Sequence, residues 1–167
     1  MQQKPTRILG VDPGLGITGY AVIESTATVP RLCEAGVIRG GRTGTLAERL
    51  VPLFDGLTDV IETFEPSVMA IEELYSHYQR PKTAILMGHA RGCFCLAAAQ
   101  AKIPVFSYAA TQIKRILTGS GRSPKSQMQS AIQKELSLPT LPEPPDVADA
   151  LAVAICHHYL CLRKLTA

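Results

Sequence analysis

Between Leu74 and Lys134 the chain contains no aspartate or glutamate, although nine basic residues fall in that stretch: Arg80, Lys82, Arg91, Lys102, Lys114, Arg115, Arg122, Lys125 and Lys134. The rest of the sequence holds eight basic and fourteen acidic residues, so the modest overall charge of +3 conceals a division of sign along the chain. A long acid-free basic stretch suits a polyanion, and one that engages many cations is most simply a nucleic acid. The plainer alternative is a chance spread of solvated lysines.

Other absences exclude whole classes. No apolar run reaches membrane-spanning length, and Met1 to Arg7 lacks the basic, apolar and small-residue zones of an export signal, so the expectation is a cytoplasmic protein without a membrane partner. The five cysteines are odd in number, with no CxxC pair and no zinc spacing, which points to reduced thiols rather than a disulfide framework. At 46% hydrophobic and 19% charged residues the composition lies outside the disordered range. With no repeat and no linker, the expectation is one domain over residues 1–167, with 1–6 and 164–167 loose.

What is present alternates strand and helix signals. Arg7–Asp12 and Ile17–Glu24 flank a Pro13-Gly14-Leu15-Gly16 breaker and read as a hairpin; Arg31–Arg39 adds a third strand. From Thr45, apolar residues recur at three and four through Phe64, with Thr45 and Glu48 forming a capping box and Pro66 ending the helix. Ser67–Glu72 reads as a buried strand, residues 82–101 as a helix rich in small residues, and Pro104–Tyr108 as a fifth strand. Helices follow at Thr111–Leu117, Lys125–Leu136 and Asp146–Leu162, separated by a flexible turn at Thr118–Pro124 and a proline-rich loop at Ser137–Pro145. The sum is an α/β fold: a five-stranded mixed β-sheet flanked by α-helices.

Four acids stand at informative places. Asp12 sits where a strand meets proline and glycine, Glu72 closes an apolar strand, and Asp146 and Asp149 are three apart on one face of the last helix. If the first and fourth strands are neighbours and the last helix crosses their ends, the carboxylates converge, and like charges so close require a cation. Hard divalent ions with oxygen ligands meet that need, and two of them roughly 4 Å apart serve in-line attack on a phosphodiester. Each acid also has a bland reading: Asp12 as a turn residue, Glu72 as the start of a solvent loop, and Asp146 with Asp149 as an N-cap and N3 pair.

Taken in order, ILGVDPGLGITGYAVIE, AIEELY, ARG, GSGRSPKSQMQ and DVADALAVAI resemble the RuvC family of Holliday junction resolvases over about residues 7–162. The resemblance implies an RNase H-like fold and a structure-specific endonuclease that nicks two opposing strands of a four-way DNA junction during recombination and repair. It implies catalysis and metal ligation by Asp12, Glu72, Asp146 and Asp149, with two Mg²⁺ ions per active site and Mn²⁺ able to substitute. Some family members carry histidine at the position matching Asp146. Lys114 and Lys125 are implied to meet phosphates, with Arg122 of the same basic turn as a further DNA contact, and Tyr75 to reach into the opened junction and stack on a base. The partners implied are a homodimer and a branch-migration helicase complex. A twofold substrate favours paired active sites, and the small-residue helix at 82–101, around Gly88, is the interface candidate, although packing on the sheet explains the same residues. In the turn after Pro13, Gly14-Leu15-Gly16 lacks the polar residues often found in the family. Two other classes are to be tested against this one: an actin-like ATPase or sugar kinase fragment, and a non-catalytic junction-binding module.

Overall fold

The structure, a computed structural model, describes residues 6–74 and 81–165, with backbone only for 162–165. Three strands, β1 (Thr6–Asp12), β2 (Ile17–Ser25) and β3 (Arg31–Arg39), form an antiparallel meander. Helix α1 (Leu46–Phe64) then crosses to β4 (Val68–Glu72), and α2 (Pro81–Gln100) crosses to β5 (Val105–Tyr108). Both of these strands run parallel to β1, giving the order β3-β2-β1-β4-β5. Helices α3 (Ala110–Thr118), α4 (Lys125–Glu135) and α5 (Pro145–Leu165) complete the chain. This is the expected five-stranded mixed sheet between helices. Two ends depart from the sequence reading: β1 already includes Thr6, and the backbone of α5 continues to Leu165, into segments expected to be loose.

Local chemistry accounts for the elements. Thr45 caps α1 by accepting from the Glu48 amide at 3.3 Å, and the Glu48 carboxylate accepts in return from the Thr45 amide at 2.6 Å. The helix ends at Glu65 in the left-handed region, φ 45°, one residue before Pro66. The turn after α3, expected to be flexible from its composition, carries hydrogen bonds of its own. Its Thr118 and Ser123 hydroxyls lie 2.6 Å apart, Ser123 is buried, and the Ser120 amide donates to Thr118 Oγ1.

Period-two alternation sorts the strand residues onto two faces. Leu9, Val11, Met69 and Ile71 face α1 and α2, where Leu53, Leu57 and Phe94 complete one core. Ile8, Ala21, Val68 and Ala70 face α5, which contributes Val147, Leu151 and Ile155 to the other. Helix α5 is apolar nearly all round, as suits a helix held between the sheet and α3 and α4. The small residues of α2 serve both sides. Ala90, Ala97 and Ala98 are buried, whereas Gly92 is exposed on the opposite face between Ile85 (60% exposed) and Leu96 (53%).

The contact that positions the site is the seat of α5 on the sheet. A Cβ added to Gly19 would lie 1.9 Å from the Asp146 carbonyl oxygen, and one added to Gly10 would lie 2.2 Å from that of Ala150. Both glycines are therefore required by proximity, since backbone fills the space a side chain would take. Gly19→Ala is expected to cost roughly 1–3 kcal/mol through overpacking, read as a lower urea midpoint. Gly16→Ala, with nothing within 4 Å of the added carbon, is expected to change stability by less than roughly 0.5 kcal/mol.

Candidate active site

The parallel pairing of β1 and β4 runs from Ile8 opposite Val68 to Val11 opposite Ile71, so the next residues on the two strands are Asp12 and Glu72. By alternation both follow Gly10 and Ala70 onto the face covered by α5. Asp12 is also the register partner of Gly19 across β2, the residue on which the Asp146 backbone rests. The first turn of α5 is thus seated directly beside Asp12, and Asp149 follows one turn later. Four acids far apart in sequence meet at one end of the sheet, on the side where parallel strands finish and ligands of such sheets bind.

The capping alternative for Asp146 and Asp149 does not hold. The amides of Val147 and Ala148 both donate to the Pro144 carbonyl, which places the cap at Pro144, Asp146 second in the helix and Asp149 fifth. Glu72 is half-buried at its strand end, unlike exposed Glu73, so the solvent-loop reading fits Glu73 alone.

Burial and mutual repulsion set the charge state. The Asp12 carboxyl is pushed from its ordinary 3.8 up to about 8, first by burial, then by the charges of Asp149, Glu72 and Asp146 in that order, with Lys125 opposing. Glu72 is raised by burial and by Asp149, against Lys114 and Lys125. Asp149 is raised by burial; Lys125 opposes most strongly, its Nζ 3.7 Å from Asp149 Oδ2. A cleft of about 370 Å³ opens beside these groups, lined by Glu72, Asp149, Lys114, Lys125 and Gln129 over a floor that includes Ile113, Met128 and Ile132.

The structure therefore brings together Asp12, Glu72, Asp146, Asp149, Lys114 and Lys125. Arg122 lies exposed in the turn between α3 and α4 and is not among the residues lining the cleft. Tyr75 lies outside the described residues. Gln129 was missed by the sequence reading. It lines the cleft and donates to the Pro142 carbonyl at 3.3 Å, tying α4 to the loop that precedes Asp146. Its place at the end of the GSGRSPKSQMQ motif was the one signal for it.

The donor set offers only carboxylate oxygens, part-buried and mutually repelling, which fits hard divalent cations. Among the described residues no three His, Cys, Asp or Glu side chains are already drawn tightly enough together to hold an ion. Binding would require the carboxylates to close in, a movement that their repulsion opposes until the cation is there.

The family model described as crossover junction endodeoxyribonuclease RuvC matches residues 8–157. A relative of that name from Rhodopirellula baltica is 56% identical over 155 residues, covering 92% of this chain and 86% of its own. Another, from Pelotomaculum thermopropionicum, is 45% identical and covers 95% of this chain and 97% of its own. Among solved structures, Thermus thermophilus RuvC in complex with a Holliday junction substrate has a TM-score of 0.89 at 29% identity, covering 95% of this chain and 96% of that one. The fold is RNase H-like, as the resemblance implied.

The raised Asp12 has a measurable consequence without metal. Its proton is held in the folded protein up to about pH 8 but is released near pH 4 from the unfolded chain. The stability it contributes is fully present below pH 4 and is lost as the pH rises through about 8. Asp12→Asn abolishes this loss, so in EDTA the variant is expected to melt roughly 5 °C above the wild type at pH 9, the two converging near pH 4. Calorimetry across that range checks both limbs.

Proposed function

The chain belongs to the crossover junction endodeoxyribonuclease RuvC family, and from that premise we propose that Asp12, Glu72, Asp146 and Asp149 hold the divalent cations with which it cuts four-way DNA junctions. Family membership sets aside the actin-like ATPase or sugar kinase fragment and the non-catalytic module. The observation that carries the site assignment is the convergence of four carboxylates at a part-buried sheet end, where burial first and then the neighbouring acids raise Asp12 to about 8, because acids gathered at such a cost to their ionisation call for a cation.

Two Mg²⁺ ions, with Mn²⁺ able to substitute, would supply activation of a water for in-line attack and stabilisation of the leaving 3′ oxygen. The protein's own groups do the rest. Asp12 and Glu72, fixed at adjacent strand ends, present oxygens from the sheet, and Asp146 and Asp149 present theirs from α5. Lys114 and Lys125 flank the cleft and would meet the phosphates on either side of the one cut, with Arg122 gripping the strand further along its backbone. Tyr75, three residues after Glu72, would stack on a base freed at the junction centre.

A four-way junction has approximate twofold symmetry, and paired nicks need two active sites related in the same way. The homodimer proposed here uses the outward face of α2, where Ile85 and Leu96 flank exposed Gly92, an apolar stripe with no role in the inner core. Gly88 is only half-exposed and an added Cβ there would meet only Leu74 Cδ1 within 4 Å, at 3.8 Å, so it is secondary to Leu96. Association with a branch-migration helicase complex follows from the family alone. No described helix is long and apolar enough to cross a membrane.

With Mg²⁺ the protein is expected to nick a synthetic four-way junction at two symmetric positions and to spare linear duplex. Asp12→Asn should lower the cleavage rate at least roughly a hundredfold while leaving junction affinity within about threefold, read by gel cleavage and fluorescence anisotropy. Equal cutting of duplex and junction would contradict the substrate. Ile85→Glu with Leu96→Glu should yield monomers by sedimentation velocity and uncouple the two nicks; a persistent dimer would move the interface elsewhere.

A further inference from the structure

Arg91, one of the basic residues of the acid-free stretch, is held by a neutral partner. From α2 its Nη2 donates to the Ser107 hydroxyl on β5 at 2.6 Å, in a bond exposed to solvent, while its Nε is buried without a hydrogen-bond partner. Among the described residues Arg91 forms no ion pair, and the sequence supplies no acid between Glu73 and Glu135. Ser107 lies opposite Ile71 in the register of β5 and β4, and β5 is the outer strand of the sheet, so the pair sits on the α2 face at the sheet's edge.

A hydroxyl does not neutralise a guanidinium, and the buried Nε has given up water without gaining an acceptor, so the group gains from an anion beside it. Nη1 and the second Nη2 hydrogen remain for such a ligand, the planar fork with which arginine grips a phosphate through two parallel bonds. Because Ser107 Oγ accepts from Arg91, its own hydrogen is left to donate to the same ligand. Placement connects the pair to the carboxylates. Met87, one helical turn before Arg91 on α2, and Ala109, two residues after Ser107, line a groove whose wall also includes Glu72 and Asp12. A strand held at the carboxylates and leaving between α2 and β5 meets the pair about 6 Å beyond Met87.

We infer that Arg91 and Ser107 form a binding subsite for a backbone phosphate of the cleaved strand, a few nucleotides from the phosphate that is cut. The contact reads no base, so it adds affinity and fixes the register of the strand without adding sequence preference. A phosphate away from the reacting centre carries the same charge before and during the reaction, so losing its contact raises KM and spares kcat. This inference rests on the nuclease assignment above.

The probe is a synthetic four-way junction carrying one uncharged methylphosphonate in each cleaved strand, moved in turn through the nearest phosphates on either side of the cut. Binding is read by fluorescence anisotropy in Ca²⁺. At one position the wild type is expected to lose about tenfold in affinity, the scale of a charge-assisted contact. Arg91→Gln should bind the unmodified junction at that reduced level and lose less than about twofold more from the methylphosphonate at that position. Its affinity should also depend less on salt, the log–log slope falling by about one per subunit engaged. With Mg²⁺ its KM should rise while kcat stays within about twofold of the wild type. Ser107→Ala, which removes one oxygen and adds no bulk, should show the same pattern more weakly, and it decides the matter with the wild-type scan if Arg91→Gln unfolds. A wild type insensitive at every position, a full methylphosphonate loss that persists in the folded variants, or a lowered melting temperature with an unchanged salt slope would each make the pair an internal tie and overturn the inference. Failure of the wild type to bind or cut any junction would instead overturn the nuclease assignment.

Discussion

Helix α5 lies against the backbone of β1 and β2 because Gly10 and Gly19 have no side chains there. Everything else about the site depends on that approach. Gly19 is paired with Asp12, so the backbone that covers Gly19 is delivered to Asp12, and that backbone is Asp146's, the second residue of the helix. Once the first turn is seated, helical geometry places Asp149 a turn further on without additional contacts. Ala150 and Ala154, whose atoms lie against Gly10, let the rest of the helix settle at the same depth, and Leu151 and Ile155 supply the apolar burial, each worth about 1.5–3 kcal/mol, that holds it there.

That burial works against the charges it brings together. Asp12 is pushed up to about 8 first by its own burial and then by the three acids around it, with Lys125 opposing. Such a corner weakens the metal-free fold at high pH and gains from a cation, as expected where a local conflict marks a functional position. The basic residues follow the complementary rule. The acid-free stretch supplies Lys114 and Lys125 to the cleft wall, close enough to temper Glu72 and Asp149, while Arg122 remains outside on the turn.

Much of this was legible in the sequence. The strand and helix order could be read from periodicity, and Asp12 and Glu72 stood out because each ends a run of apolar residues. What could not be read was relative placement. The α5 pair was open to a capping interpretation until the Pro144 carbonyl was seen to take the first helical amides. Gly10 and Gly19, each inside a strand, carried a usable signal, since a glycine there often marks a close backbone approach, but the sequence alone does not say which element approaches. Gln129 was passed over although it closes the GSGRSPKSQMQ motif, because its importance comes from what lies across the cleft rather than from its neighbours in sequence. In the serine-rich turn the composition indicated a loop but not its internal bonds, with the Thr118 and Ser123 hydroxyls paired and Ser123 donating to the Ser120 carbonyl.

The central claim is that the four carboxylates form one cation site created by the seating of α5. The most direct test is titration calorimetry of Mn²⁺ binding in buffers of different ionisation enthalpy, which counts the protons released. At pH 7 the wild type is expected to release about one proton as the cation displaces that on Asp12, and Asp12→Asn to release almost none. Mn²⁺ binding without proton release, or release unaltered by Asp12→Asn, would contradict the account.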